Sequence, residues 1–464
     1  MCGILGVSGL DGAARITRLG LYALQHRGQE SAGIVAVDVA GHARVHRGMG
    51  LVSDVFDEPK LEGLPGDVAV GHARYSTAGS TVLANAQPYL VNYHAGPLSI
   101  AHNGNLTNAN ALREELVRGG AIFQSSSDTE VLIHLIARSD ESTVEGQIRS
   151  ALERVEGACT ILISVGRTIY AAVDSRGFRP LVLGRIGQGV VIGSETCSLD
   201  LIGATDLTEL EPGDFLKVED GLVTPLDPLR PRPTSRCIFE LVYFARPDSR
   251  IFHTSVDAVR RELGRAIARH HAAPGAEVVF SVPDSANVMA LGYSEVSGVK
   301  LEHALIRNHY VGRTFIHPTQ SLRVAKVRIK FNPVRELIEG KSVVVIDDSL
   351  VRGTTSKGLV QMIRGAGARE VHLRLGSPPI TGPCHYGIDT PDRAELIAAN
   401  HSVEGIRDYL GVDSLEYLTL DEMVEAAGPR TSWCHACFSG QYPTEIPGDI
   451  AMHRHTAPAM AVAE

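Results

Sequence analysis

The run Val343-Val344-Val345-Ile346-Asp347-Asp348-Ser349-Leu350-Val351-Arg352-Gly353-Thr354-Thr355-Ser356 constrains this chain more than any other stretch. Four consecutive β-branched residues predict a strand buried on both faces, as in a parallel sheet. Two adjacent acids end the apolar run, and a loop of glycine and hydroxyl residues leads into a helix expected over 357–368. Ligands of open α/β sheets sit at the carboxyl ends of the strands. A small-residue loop at a helix N-terminus offers free backbone N–H groups and the positive end of the dipole to a phosphate. Thr354, Thr355 and Ser356 add hydroxyl donors. The acid pair repels a phosphate and suits a sugar diol or a Mg²⁺-bound oxygen instead. Together these parts predict a cradle for a ribose 5-phosphate.

A second unit of the same kind lies upstream. The strand expected over 278–282 ends in Pro283-Asp284-Ser285-Ala286-Asn287, well placed to meet a pyrophosphate. Between the two units, residues 320–328 carry Arg323, Lys326 and Arg328, which we read as a lid over the ligand. A lid excludes water while a reactive sugar cation forms. An acid pair after a strand is common, but the whole run is specific. It closely resembles the phosphoribosyl-diphosphate (PRPP) motif of type I phosphoribosyltransferases. By that resemblance Asp347 and Asp348 face the ribose hydroxyls and Mg²⁺, and Ser349, Arg352, Gly353, Thr354 and Thr355 wrap the 5-phosphate. The upstream unit corresponds to the pyrophosphate loop, with Ser285 as its metal-linked position.

Composition narrows the class. A length of 464 residues implies two or three domains with ample core. A net charge of −9 argues against a nucleic-acid surface. No stretch approaches the ~20 apolar residues that span a bilayer, and no charged segment leads into an apolar one as in a secretory signal. Seven cysteines, an odd number unevenly spread, do not form a secreted disulfide framework. A cytoplasmic protein with catalytic or metal-bound thiols is expected.

The chain begins Met1-Cys2-Gly3-Ile4-Leu5-Gly6-Val7. Removal of Met1 leaves a terminal cysteine whose own α-amine, titrating near ~8, takes the thiol proton. No propeptide stands ahead of Cys2, so methionine removal alone is expected to free it. Taken alone, Cys2 reads as a small hydrophobe in a first strand. Four polar knots beside apolar segments change that reading. They lie at 24–33, 71–77, 101–106 and 126–130. Arg74 supplies a fork for a carboxylate and Asp128 a charge for an ammonium. Asn103 and Gly104 supply donors to an oxyanion. His26, His72 and His102 are read as structural hydrogen-bonders, and Arg27 as structural or part of a lid. Residues 174–181 and 194–197 are read as scaffold. The set resembles the glutaminase domain of N-terminal-nucleophile (class II) amidotransferases. The resemblance implies a four-layer α–β–β–α domain in which Cys2 attacks a glutamine amide, with glutamine bound by Arg74 and Asp128.

Residues 224–234 carry Pro225, Pro228, Pro231 and Pro233 and mark a boundary. The expected domains are 2–230 and 231–464, the second a phosphoribosyltransferase parallel-sheet domain with a loose tail from about 450. Past the boundary, Cys434 and Cys437 form a C-x-x-C pair, and Cys237 and Cys384 bring the total to four thiolates. Chemistry alone leaves zinc, redox and Fe–S use open.

The chain as a whole is similar to the glutamine PRPP amidotransferase family. Its iron-containing branch has cysteines before a Phe-Ala-Arg-Pro-Asp-Ser segment, in a Pro-Cys-x-Tyr-Gly-Ile-Asp turn and in a terminal Cys-x-x-Cys-Phe. The resemblance thus implies that Cys237, Cys384, Cys434 and Cys437 hold a 4Fe–4S cluster, structural or oxygen-sensing and far from the chemistry. It also implies PRPP, glutamine and water giving 5-phosphoribosylamine, pyrophosphate and glutamate, at the head of purine synthesis. Purine nucleotides are the implied allosteric inhibitors and a homotetramer the implied assembly. A dry passage for ammonia is expected between the sites, with Tyr310 near its wall. Two alternatives rank lower. An isomerising sugar-phosphate amidotransferase would lack the acid-pair run. A non-catalytic nucleotide-responsive regulator would not need Cys2, Arg74, Asn103 and Asp128 intact.

Overall fold

The first strand, Gly3–Ser8, is buried along its whole length because its two faces meet two different layers. Ile4 packs between two sheets with Val35, Val70, Leu162 and Ile192. Leu5 and Val7 pack on the other side with Leu21, from the helix Ala13–Ala23. Side chains alternate across a strand, so one apolar hexapeptide serves both interfaces. The structure, a computed structural model, describes residues 1–75, 81–309, 328–428 and 432–448.

Gly3–Ser8 pairs antiparallel with Val68–Arg74 and Gly189–Gly193 inside a seven-stranded sheet. A six-stranded sheet built around Gly96–Leu106, Gly157–Val165 and Thr168–Ala172 packs on its inner face. The outer face of that second sheet is covered by helices Ala109–Arg118, Thr129–Ala137 and Val144–Arg154 through Leu112, Val131, Ile136 and Ile148. The result is the expected helix–sheet–sheet–helix order.

The second half follows the pattern of its apolar runs in the same way. Lys300–Leu301, Val278–Ser281, Ser342–Asp347, Glu370–Leu375 and Ser414–Tyr417 form, in that order, a five-stranded parallel sheet. Val344 and Ile346 pack on one face with helices Val256–His270 and Asn287–Ser297. Val343 and Val345 pack on the other with Thr354–Gly365 and Val403–Leu410. The strand is therefore buried on both faces, as its sequence predicts.

One expectation needs adjustment. The helix after the acid pair starts at Thr354 rather than 357, because Gly353 enters it directly at φ +73°. A left-handed backbone of this kind suits glycine. The proline-rich boundary segment runs along the first half: Leu222–Pro225 is an edge strand, and Leu229 is buried there. Residues 320–327 of the charged run, Tyr310 and the tail from 450 lie outside the described residues. Among the described residues no helix is long and apolar enough to cross a membrane.

Candidate active site

At the chain start, the Cys2 backbone N–H donates to Asn103 Oδ1 at 3.1 Å, and the Cys2 thiol donates to the Tyr75 carbonyl at 3.7 Å. Asn103 lies on Gly96–Leu106, whose neighbour Gly157–Val165 fixes its register. Its buried amide nitrogen, Nδ2, has no partner among the described residues. A buried donor left over beside a thiol is what a developing oxyanion needs. Gly104 follows at φ +153°, and a Cβ there would sit 2.0 Å from the Ala158 carbonyl oxygen. Arg74 is buried and ion-paired with Glu30. Asp128 accepts from the Leu106 N–H at 2.9 Å and precedes the helix Thr129–Ala137. Burial pulls the Met1 amine down to about 6.

The three histidines are engaged as read. His26 Nε2 lies 2.7 Å from Glu195 Oε1. His72 Nε2 lies 3.1 Å from the His102 carbonyl, and burial holds His72 neutral with a pKa of about 3. His102 spans Thr129 and the Ala158 carbonyl, each at 3.1 Å.

In the second half the two strand-loop units meet. Ser285 Oγ donates to Asp348 Oδ2, and Ser349 Oγ donates to Asp348 Oδ1 at 2.6 Å. Burial raises both acids. Asp347 is raised further by its neighbour Asp348, while Ser285, Ser349 and the buried Arg260 restrain Asp348. Thr354 and Thr355 are exposed in the first turn of Thr354–Gly365. Arg352 pairs with Glu395 at 2.7 Å on the surface rather than turning toward the loop. A cleft beside the upstream loop is lined by Ser281, Asp284, Asn287, Glu302, Arg307 and His309.

The four cysteines come from three separate places. Two-residue strands Arg236–Cys237 and Trp433–Cys434 pair in parallel with Cys237 opposite Cys434. Cys437 follows in the short helix Ala436–Ser439. Cys384 Sγ accepts from the N–H groups of Tyr386 and Ile388, each at 3.4 Å. Burial pushes Cys437 up first, and the charges of Cys384, Cys237 and Cys434 push it further. Among the described residues no three ligating side chains converge on a single ion position.

Sequence reasoning missed how closely the cysteine turn approaches the glutamine side. Asn105 Nδ2 donates to the His385 carbonyl at 2.9 Å, and Tyr75 donates to Asp389 at 3.1 Å. A Cβ on Gly387 would lie 3.2 Å from the carbonyl carbon and oxygen of Gly104. The expectation of a cysteine site far from the chemistry is therefore corrected on this side. Glu195 holds the scaffold role read for residues 194–197, through contacts the sequence does not show. It accepts from Arg27 Nε at 2.7 Å, Ser249 Oγ at 2.6 Å and the Arg246 N–H at 3.0 Å. Arg27 reaches Glu240 of the second half at 2.7 Å, and both side chains are fully buried. No local pattern signals such pairs. Only the burial of Arg27 beside apolar residues hints at one.

Residues 72–200 match a family model described as a glutamine amidotransferase domain. The chain is 48% identical over 447 residues to amidophosphoribosyltransferase 2, chloroplastic, of Arabidopsis thaliana, covering 96% of this chain and 79% of that protein. It is 46% identical over 458 residues to the amidophosphoribosyltransferase of Bacillus subtilis (strain 168), covering 97% and 96%. Among solved structures it is similar to the glutamine PRPP amidotransferase from B. subtilis complexed with ADP and GMP. There the TM-score is 0.91 at 46% identity, with 97% of this chain and 98% of that chain covered.

Proposed function

Because this chain belongs to the amidophosphoribosyltransferase family, we propose how its residues divide that family's reaction. The enzyme converts PRPP, glutamine and water to 5-phosphoribosylamine, pyrophosphate and glutamate, the first committed step of de novo purine synthesis. The residue roles rest above all on Cys2 being held against Asn103, whose second amide donor is left over.

Once Met1 is removed, the Cys2 α-amine takes the thiol proton and the thiolate attacks the glutamine amide carbon. Asn103 Nδ2 and the Gly104 N–H hold the oxyanion; ammonia leaves with that proton, and water releases glutamate from the thioester. Arg74 and Asp128 hold the carboxylate and amine of glutamine. In the second half, 5-phosphate binding falls to the N–H and hydroxyl groups of Ser349, Gly353, Thr354 and Thr355, with Arg352 able to join only by leaving Glu395. Ammonia, kept dry on its way, displaces pyrophosphate from the anomeric carbon. The domain division we propose is 2–230 and 231–464.

The donor set of Asp347, Asp348 and Ser285 fits Mg²⁺. It offers hard oxygens, and burial together with the neighbouring carboxylate raises Asp347, while burial raises Asp348 despite Arg260 and the two serine donors, a pair that a divalent cation would relieve. When bound, Mg²⁺ supplies charge to the leaving pyrophosphate. The four cysteines fit a 4Fe–4S cluster. Their thiols lie close enough to feel one another's charge, Cys384 carries N–H···S bonds, and a neighbouring arginine N–H is orphaned. Purine nucleotides are proposed as inhibitors at and near the PRPP site, since the B. subtilis relative is a complex with ADP and GMP. We place the enzyme in the cytoplasm as a homotetramer.

The test is direct. Purified protein given glutamine, PRPP and Mg²⁺ is expected to release pyrophosphate and glutamate together. Cys2→Ala is expected to lose glutamine use and keep 5-phosphoribosylamine formation from ammonia. Absence of pyrophosphate release from either nitrogen source overturns the reading in favour of a regulator.

A further inference from the structure

Arg179 belongs to the first half, yet its side chain is buried completely among parts of the cysteine site. Its Nη1 donates to Glu240 at 3.2 Å and its Nη2 to the Tyr386 carbonyl at 2.5 Å. Its Nε finds no partner among the described residues. A buried cationic N–H without an acceptor is costly, so an orphan of this kind asks for one.

The surroundings say what that acceptor is. Phe178, the preceding residue, accepts through its carbonyl from the Cys237 N–H at 3.3 Å. Its ring stacks on Tyr386 at 4.3 Å between centroids and shares an apolar cluster with Cys434 and Cys384. Tyr386, whose carbonyl Arg179 holds, donates its own N–H to Cys384 Sγ. Glu240 opens the helical turn just after Cys237. Burial pulls the Arg179 guanidinium down, but the charges of Cys237, Glu240, Cys384 and Cys434 outweigh it and leave it raised. Pairing with Glu240 does not by itself account for Arg179, because Arg27 already gives Glu240 a cation.

We propose that Arg179 is the counter-cation of the four-cysteine site, donating its Nε–H to sulfur of a bound iron–sulfur cluster and raising the cluster's reduction potential. This rests on reading those cysteines as a cluster site. Thiolates around an iron–sulfur core carry net negative charge, and each added electron increases it. A buried positive charge and an N–H···S bond therefore stabilise the reduced form more than the oxidised one.

Wild type, Arg179→Lys and Arg179→Met are purified anaerobically, reconstituted with iron and sulfide, and compared by metal content, redox titration and iron release to a chelator. Wild type is expected to hold iron and sulfide. Arg179→Met is expected to titrate at a more negative potential and to lose iron roughly tenfold faster. Arg179→Lys should fall between them. In wild type grown with isotope-labelled arginine, pulsed EPR of the reduced cluster should show a weak coupling to arginine nitrogen that Arg179→Lys loses. Should Arg179→Met fail to fold, the labelled wild type and Arg179→Lys still decide. Wild type that takes up zinc, or no iron and sulfide, overturns the cluster reading itself. A normal cluster with no arginine coupling and an unchanged potential in Arg179→Lys and any folded Arg179→Met overturns the role of Arg179 and leaves the cluster standing.

Discussion

Asn103 spends one end of its amide on the Cys2 backbone and keeps the other. Asn103→Ala is expected to cost roughly 10²–10³ in kcat for glutamine hydrolysis with a smaller change in KM, read by steady-state glutaminase assay. Both residues were legible because each sits in a short polar knot whose chemistry shows locally. Glu195 was not, since its partner Arg27 lies 168 positions away. Burial alone would raise Glu195, but the charges of His26 and Arg27 hold it well below the usual carboxylate range. A carboxyl depressed in the folded state stabilises above its unfolded pKa and loses that contribution as the pH falls. Melting temperature in wild type should therefore drop steeply as pH falls from about 4.3. Glu195→Gln should melt lower, through a loss of roughly 3–5 kcal/mol of folding free energy, and show a shallower acid limb in calorimetry.

The strand Ser342–Asp347 and the helix Thr354–Gly365 form the element that carries the proposed sugar-phosphate cradle. The strand was legible from its β-branched run, and the helix from the break in that run made by two acids and a hydroxyl-rich loop. The start of the helix was missed because Gly353 supplies the entry conformation without any side-chain cap. The bond from Ser285 to Asp348 joins strands adjacent in the parallel sheet, which periodicity cannot reveal. The acids at the strand end are both raised by burial, a cost to stability once they ionise. A carboxyl raised in the folded state contributes below its unfolded pKa and loses that contribution as pH rises through the raised value. Without Mg²⁺, wild type should thus melt lower as pH climbs out of the carboxylate range. Asp347→Asn should flatten that slope, melt higher near neutrality, and lose any Mg²⁺-dependent gain. Thermal melts across pH with and without the ion check all three outcomes.

Across the whole molecule, the two halves touch backbone to backbone where Gly387 meets Gly104. Gly387 sits at φ +104°, so Gly387→Ala strains its own turn by about 1–3 kcal/mol and presses on Gly104, the proposed oxyanion donor. Its expected signature is lost glutamine hydrolysis with ammonia-dependent synthesis retained, although the substitution lies in the other half; paired assays on one preparation check it. Sequence could show two catalytic halves but not which turn of one rests on which strand of the other. Such contacts are made of glycines and carbonyls, which carry no pattern.

Met1 is 1% exposed, wedged into the same apolar cluster as Ile238, Leu241 and Val242. Those residues leave the ribosome long after it does. If Cys2 acts as the terminal nucleophile proposed above, a peptidase must reach Met1 before the later residues seal it, and a chain that closes early keeps it. Folded, untrimmed protein treated with methionine aminopeptidase should keep its full mass, whereas the unfolded chain should lose one residue.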